Sequence, residues 1–269
     1  MVNRAATFHA MANSDTLVVC WKQQGCQRRA KRSASGAIRP WPRQQREPGL
    51  QQARKCYLPM KLRDPVSGVT HLAGALLSVV GLILLLREAL LHGTVWHLVA
   101  FTVFGVSLIL LYTASALYHL LPLSQQGTKI LRYVDHSMIY VLIAGTYTPF
   151  CLLPLRGPWG WGLLGSILAI TVIGIAIKIV WMQAPRWLYT GAYVLMGWLV
   201  VVAVVPLVRS VPAGGLVWLL AGGLIYSLGA VVYATKWPRG RVFGFHEIWH
   251  LFVLAGSLSH FWAVYQYLI

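Results

Sequence analysis

Between residues 66 and 269 the chain carries seven apolar stretches of membrane-spanning length, and a water-soluble domain has no place to bury so many. A hydrocarbon core about 30 Å thick is crossed by about 20 apolar residues of helix. On that scale the stretches fall at approximately 66–86, 97–121, 130–153, 159–181, 187–208, 214–234 and 245–269. Lipid offers no hydrogen bonds, so each segment has to satisfy its own backbone. The fold class expected is therefore all-α, a polytopic membrane protein built as a bundle of seven transmembrane helices. At 57% hydrophobic and 11% charged, the composition leaves too little polar surface to solvate a globular domain of 269 residues. Gly74, Ser78 and Gly81 in the first stretch, and Gly222, Gly223 and Gly229 in the sixth, suit close helix contact in lipid.

The formal charge of +17 invites a nucleic-acid reading until it is divided along the chain. Up to Arg63 there are 13 Lys/Arg against 2 Asp/Glu; from Asp64 onward there are 10 against 4. Most of the excess sits where no hydrophobic body exists, so the membrane domain calls for no nucleic acid. Residues 1–59 read as a disordered basic extension, whose longest apolar run, "TLVVCW", is too short for a signal-peptide core. Such a tail can touch anionic lipid or nucleic acid. Met60, ahead of "KLRDP", is an alternative start, and residues 60–269 form the membrane domain. Cys20, Cys26 and Cys56 lie before it and Cys151 lies in an apolar run, with no pairing that suggests a disulfide framework or a thiolate metal site.

Positive charge between spans sets orientation. Counted from Met60, the first flank and the even-numbered loops hold Lys61, Arg63, Lys129, Arg132, Lys178, Arg186, Lys236, Arg239 and Arg241, whereas the odd-numbered loops hold Arg87, Arg156 and Arg209. The N-terminus is therefore expected in the cytoplasm and the C-terminus outside.

Polar groups in lipid are costly and need a partner, a cavity or an interface. Ser115 and His119 are four residues apart near the end of the second span and share a helical face. Asp135 lies in the first turns of the third span, His246 and His250 open the seventh four apart, and His71 lies one or two turns into the first. All fall at the cytoplasmic end, and none contributes to the Lys/Arg asymmetry that sets the orientation. Catalytic zinc commonly takes three nitrogen or oxygen ligands and leaves a fourth position for water. His119, His246 and His250 are the expected metal ligands if the second and seventh helices meet. Asp135 would then orient a histidine or accept from the bound water, and Ser115 could hydrogen-bond the same water. His71 is either cavity wall or ligand. His92 and His97 are placed in the first external loop, and His136 is set aside in favour of Asp135.

"HEIWH" also spells H-E-x-x-H, the signature of zinc proteases with a glutamate base. A metzincin needs a third histidine at a position held here by Gly256, and no Asp or Glu follows Glu247. His260 is ten residues beyond His250, about 15 Å along a helix, too far to share one ion. It is expected to be a structural hydrogen-bonding residue. Glu247 sits about 100° around the helix from His246, so a protease is not the preferred reading.

"SALYHLLP", "VDHSMIYVLIAGTYTPF" and "HEIWHLFVLAGSLSHFWAVYQYL" together resemble the hemolysin III family, the bacterial branch of the progestin and adipoQ receptor superfamily, related to alkaline ceramidases. "DPVSGVTHLAGALL" is similar to that family's first-helix motif, and the likeness covers residues 60–269. It implies a seven-helix protein of the bacterial plasma (inner) membrane with Zn2+ near its cytoplasmic end. By motif the zinc histidines are His119, His246 and His250, with Ser115 and Asp135 as companions. Where the family often has an acidic pair and an Asn ahead of the first-helix His, this chain has Arg63, Asp64 and Ser67.

The function expected is a zinc-dependent, ceramidase-like hydrolase of lipid amides or esters that uses a zinc-activated water. Asp135 would serve as general base and Ser115 would hold the water or the developing oxyanion. A membrane lipid is the expected substrate or ligand, admitted through a cavity lined by residues such as Tyr118, Tyr140 and Tyr147. A membrane sensor with structural zinc, closed by Asp135 as fourth ligand, is a second reading. A pore-forming cytolysin, the family's namesake, is a third, against which stands the lack of a repeated polar stripe for an ion path.

Overall fold

A computed structural model describes residues 62–240 and 243–269; the proposed basic extension at 1–59 lies outside the described residues. Every element among those residues is helical. Seven rods result: α1 (Pro65–His92), α2 (Val95–Leu120), α3 (Gln125–Leu152), α4 (Pro158–Val180), α5 (Arg186–Ser210), α6 (Ala213–Thr235) and α7 (Phe245–Tyr267). Six of them are long and apolar enough to cross a membrane. The exception, α3, has the length for it, 28 residues or about 42 Å. It falls short in hydropathy because Lys129, Arg132, Asp135 and His136 occupy its first half and Thr146, Tyr147, Thr148 and Pro149 dilute its second.

Helix ends follow local chemistry more than hydropathy. Pro65 and Pro158 open α1 and α4 at the position where a missing N–H costs nothing. Gly157, just before α4, has φ +145°, a value open to glycine. Ser124 caps α3 by accepting from the Gly127 N–H at 3.2 Å. The first loop is shorter than hydropathy suggests, since α1 runs to His92 and only Gly93 and Thr94 precede α2. His92 and His97 are therefore helix-end residues rather than loop residues, and His97 Nδ1 accepts from the Thr94 N–H at 3.1 Å.

Sequence neighbours pack side by side, and α7 closes back against α1. The buried core mixes large apolar side chains such as Phe101, Phe104 and Ile167 with small and polar ones, while the outside is greasy throughout. On α1 the buried side includes Ser67, Gly68, His71, Gly74, Ala75 and Ser78, whereas Leu76, Leu77, Val80 and Leu90 face outward. Close approach decides two contacts. A Cβ on Gly174 would overlap the ring of Tyr140 on α3, and one on Gly222 would overlap the ring of His260 on α7.

The fifth rod is broken in the middle. Leu199–Ala203 winds as 3-10 helix, ahead of Pro206, which has no N–H to give back to Val202. Tyr147 from α3 fills the gap. Its hydroxyl lies 2.9 and 2.8 Å from the carbonyls of Met196 and Gly197 and accepts from the Val200 N–H at 2.8 Å. Backbone groups freed inside an apolar layer thus keep partners.

Candidate metal centre

The segment before α1 is clamped to the last turn of α2. Arg63 donates to the Tyr118 hydroxyl at 2.8 Å and lies 4.2 Å over its ring. The Asp64 N–H donates to the His119 carbonyl at 2.9 Å, and Asp64 Oδ2 lies 3.2 Å from His119 Nδ1. That bond places the proton of a neutral His119 on Nδ1 and leaves the Nε2 lone pair free. His119 itself is 2% exposed, so the lone pair points into protein.

What it points at is α7. His246 and His250, one turn apart on the first two turns of that helix, present rings 4.7 Å apart. His119 Nε2 and His246 Nε2 are separated by 3.4 Å. One ligand nitrogen each from His119, His246 and His250 lies within 4.8 Å of the others. A tetrahedral ion bound at about 2.0–2.1 Å sets its nitrogens about 3.3 Å apart, so one pair already has that spacing and the third ring needs a small rotation. This buried cluster can hold a metal ion. His250 Nδ1 has no hydrogen-bond partner, which marks the group as built for more than packing.

His71 joins the cluster without being one of the three. Its ring stacks on His250 with centroids 3.8 Å apart, and both of its nitrogens are buried and unpartnered. Its other face meets the edge of Tyr112, whose hydroxyl donates to Ser257 Oγ at 2.7 Å.

Glu247 is turned to other work. Its Oε2 accepts from the Gly244 N–H at 2.8 Å, capping α7, and its Oε1 accepts from Ser67 Oγ at 3.3 Å. The glutamate of the H-E-x-x-H string therefore ties α7 to α1. His260 Nε2 lies 3.1 Å from the Leu219 carbonyl, which makes it a bridge between α7 and α6.

Beside the histidines runs a narrow cavity of about 150 Å³. Asp135, Ser115, His71, His246 and His250 line one end, and Leu219 and His260 line the other. Asp135 and Ser115 are both buried and both line this cavity. Asp135 Oδ2 lies 4.0 Å from His136 Nε2, so the carboxylate touching a cluster histidine is Asp64, not Asp135. Of the three tyrosines expected in the cavity wall, Tyr147 is there. Tyr118 is held by Arg63 instead and Tyr140 packs on Gly174, while Tyr189, Tyr193, Tyr226 and Tyr233 do the lining.

A family model described as Haemolysin-III related matches residues 60–261. The chain belongs to that family. Hemolysin-3 of Bacillus cereus is 45% identical over 204 residues, covering 76% of this chain and 90% of the relative. The Hemolysin-3 homolog of Bacillus subtilis (strain 168) is 43% identical over 204 residues, covering 76% and 93%. The monocyte to macrophage differentiation factor of Homo sapiens is 26% identical over 216 residues, covering 79% and 87%. The region matched to the haemolysin-III family contains all three cluster histidines, Asp64, Ser115 and Asp135.

Asp64 is the functional candidate that sequence reasoning passed over. The signal was present as an acidic residue among basic ones directly before a span, but its contact with His119 needs two helix ends 55 residues apart to meet.

Proposed function

We propose that this protein is a hydrolase of lipid amide or ester bonds in the bacterial inner membrane, with zinc held by His119, His246 and His250 at the cytoplasmic end of the bundle. The observation that carries the reading is the junction of a convergent three-imidazole cluster with an apolar cavity that has a buried carboxyl in its wall. Zinc in such a site supplies Lewis acidity to a carbonyl oxygen and acidifies water to near neutrality.

The residues of the chain supply the rest. Asp64 fixes His119 so that Nε2 faces the centre. Asp135 accepts the proton released at its Oδ as water adds to the carbonyl carbon, and returns it to the leaving nitrogen or oxygen. Ser115, in the same cavity wall, holds the water or the developing oxyanion. The tyrosine-lined cavity accepts the acyl chain and keeps bulk water away.

One observation favours a second reading. His71, with two unpartnered nitrogens stacked against His250, is placed to close the coordination shell, which would make the ion structural and the protein a membrane sensor. Release of fatty acid from ceramide-like amides and from esters by purified protein, alongside its His250→Ala variant, tests the proposal. Release that depends on His250 supports hydrolysis. Bound zinc without release from any lipid supports the sensor.

A further inference from the structure

A second group of nitrogen-bearing side chains lies between α3 and α4, outside the histidine cluster. Arg132 and His136 are one turn apart on α3 and share a face. Lys178 comes from the last turn of α4. It is 2% exposed, and its ammonium has no hydrogen-bond acceptor. His136 Nδ1 is also buried without a partner. Lys178 Nζ sits 3.5 Å from the centroid of the Tyr189 ring, a contact that satisfies one of its three N–H directions and leaves the others. The His136 ring lies 6.0 Å from that of Tyr189, centroid to centroid, so His136 and Lys178 approach the same aromatic side chain. Neither Arg132 nor Lys178 meets a carboxylate within ion-pair distance among the described residues, whereas His136 Nε2 lies 4.0 Å from Asp135 Oδ2.

An ammonium buried without a carboxylate partner is expensive in a low-dielectric setting. Asp135 meets the imidazole, which leaves Lys178 and Arg132 without an anion of their own among the described residues. A guanidinium fork beside a point-like ammonium matches phosphate oxygens, the fork binding two of them and the ammonium a third. Placement narrows the source. Arg132 also lines an open groove of about 810 Å³, whose other charged lining residues, Arg63 and Lys129, are basic as well. His136 and Tyr189 line the inner cavity. Arg132 in the groove and His136 in the cavity, four residues apart on α3, mark where the basic groove meets the apolar cavity, and Lys178 is buried alongside on the ring of Tyr189, a residue of the cavity wall. Basic pockets between membrane helices bind lipid headgroups.

We propose that Lys178, Arg132 and His136 form a binding site for the phosphate of a lipid headgroup, whose acyl portion enters the cavity beside Asp135 and His246. The site stands on its own geometry; that its occupant is the hydrolysed substrate rests on the function proposed above. It narrows the substrate class to phosphate-headed lipids and sets neutral ceramide-like lipids second.

The test uses the full chain in neutral detergent with three probes: a fluorescent single-chain phosphatidate, the uncharged monoacylglycerol with the same label, and inorganic phosphate as competitor. The phosphatidate is expected to bind at least about tenfold more tightly than the uncharged probe, one charge-assisted contact's worth. Lys178→Met is expected to remove that difference and Lys178→Arg to keep it. Arg132→Gln, at an exposed position, should reduce it even if Lys178→Met fails to fold. Equal binding of both lipids by the natural protein overturns the site. Displacement of the phosphatidate by inorganic phosphate at millimolar concentration overturns the lipid assignment. Fatty-acid release is read in the same samples. Phosphatidate binding without release from any lipid leaves the site and removes the hydrolase. Release from the neutral lipid as fast as from the phosphatidate leaves the hydrolase and overturns this substrate class.

Discussion

Replacing Asp64 with alanine isolates the one outer carboxylate that touches a cluster ring. Losing such a partner typically weakens metal binding about 10–100-fold, or about 1.4–2.7 kcal/mol. The lower figure is expected here. The Asp64 side chain is 44% exposed, and Arg63 Nε stands 3.7 Å from the same oxygen that faces His119, so solvent and a competing cation both dilute the bond. Asp64→Asn keeps a carbonyl acceptor at the same reach and should lose less than the alanine. Fold stability makes a clean control, because the Asp64 side chain makes no capping bond to α1 and its backbone N–H stays on the His119 carbonyl in either variant. The assay is a zinc titration of detergent-purified protein against a chelator of known affinity, with thermal unfolding of the metal-free forms beside it. A graded loss, alanine about tenfold and asparagine less, with unchanged apo stability, agrees with the structure. Zinc affinity in the alanine variant equal to that of the natural protein refutes the reasoning.

Three other substitutions probe the frame around the site. Tyr147→Phe strands the carbonyls of Met196 and Gly197 and the Val200 N–H, so thermal stability should fall by about 1–3 kcal/mol while metal content is kept. Glu247→Ala should cost about 1 kcal/mol of stability through the lost helix cap, yet retain metal and any lipid hydrolysis. Abolished turnover with intact metal would instead make Glu247 the base of a protease-like centre. Gly222→Val forces a side chain into the ring of His260 and should cost about 1–3 kcal/mol of stability, read as a lowered unfolding midpoint in detergent.

Seven helices were legible because a bilayer imposes one length on every crossing, and the apolar runs carry that length. Their ends were less so. Hydropathy measures the part in hydrocarbon, while Ser124 and Thr94 start helices by hydrogen bonding several residues outside it. The three histidines were legible because i,i+4 spacing and matching depth need no knowledge of packing. Helix rotation was not. In a soluble bundle the apolar stripe marks the inside, but here Leu76 and Leu77 face lipid while Ser67 and His71 face the core, so apolar character carries no direction. That is why Tyr118 and Tyr140 were expected in a cavity wall built instead by Tyr189, Tyr193, Tyr226 and Tyr233. In sequence Lys178 stands among the loop charges that orient the chain, and only the contact of α4 with α3 and α5 shows it buried on Tyr189.

The central claim is that His119, His246 and His250 grip a single zinc ion. Elemental analysis of protein purified without added metal, for the natural chain and for alanine at each of the three positions in turn, addresses it directly. About one zinc per natural chain and little in every variant is the predicted pattern. A natural chain with no bound metal, or variants that keep it, would contradict the account.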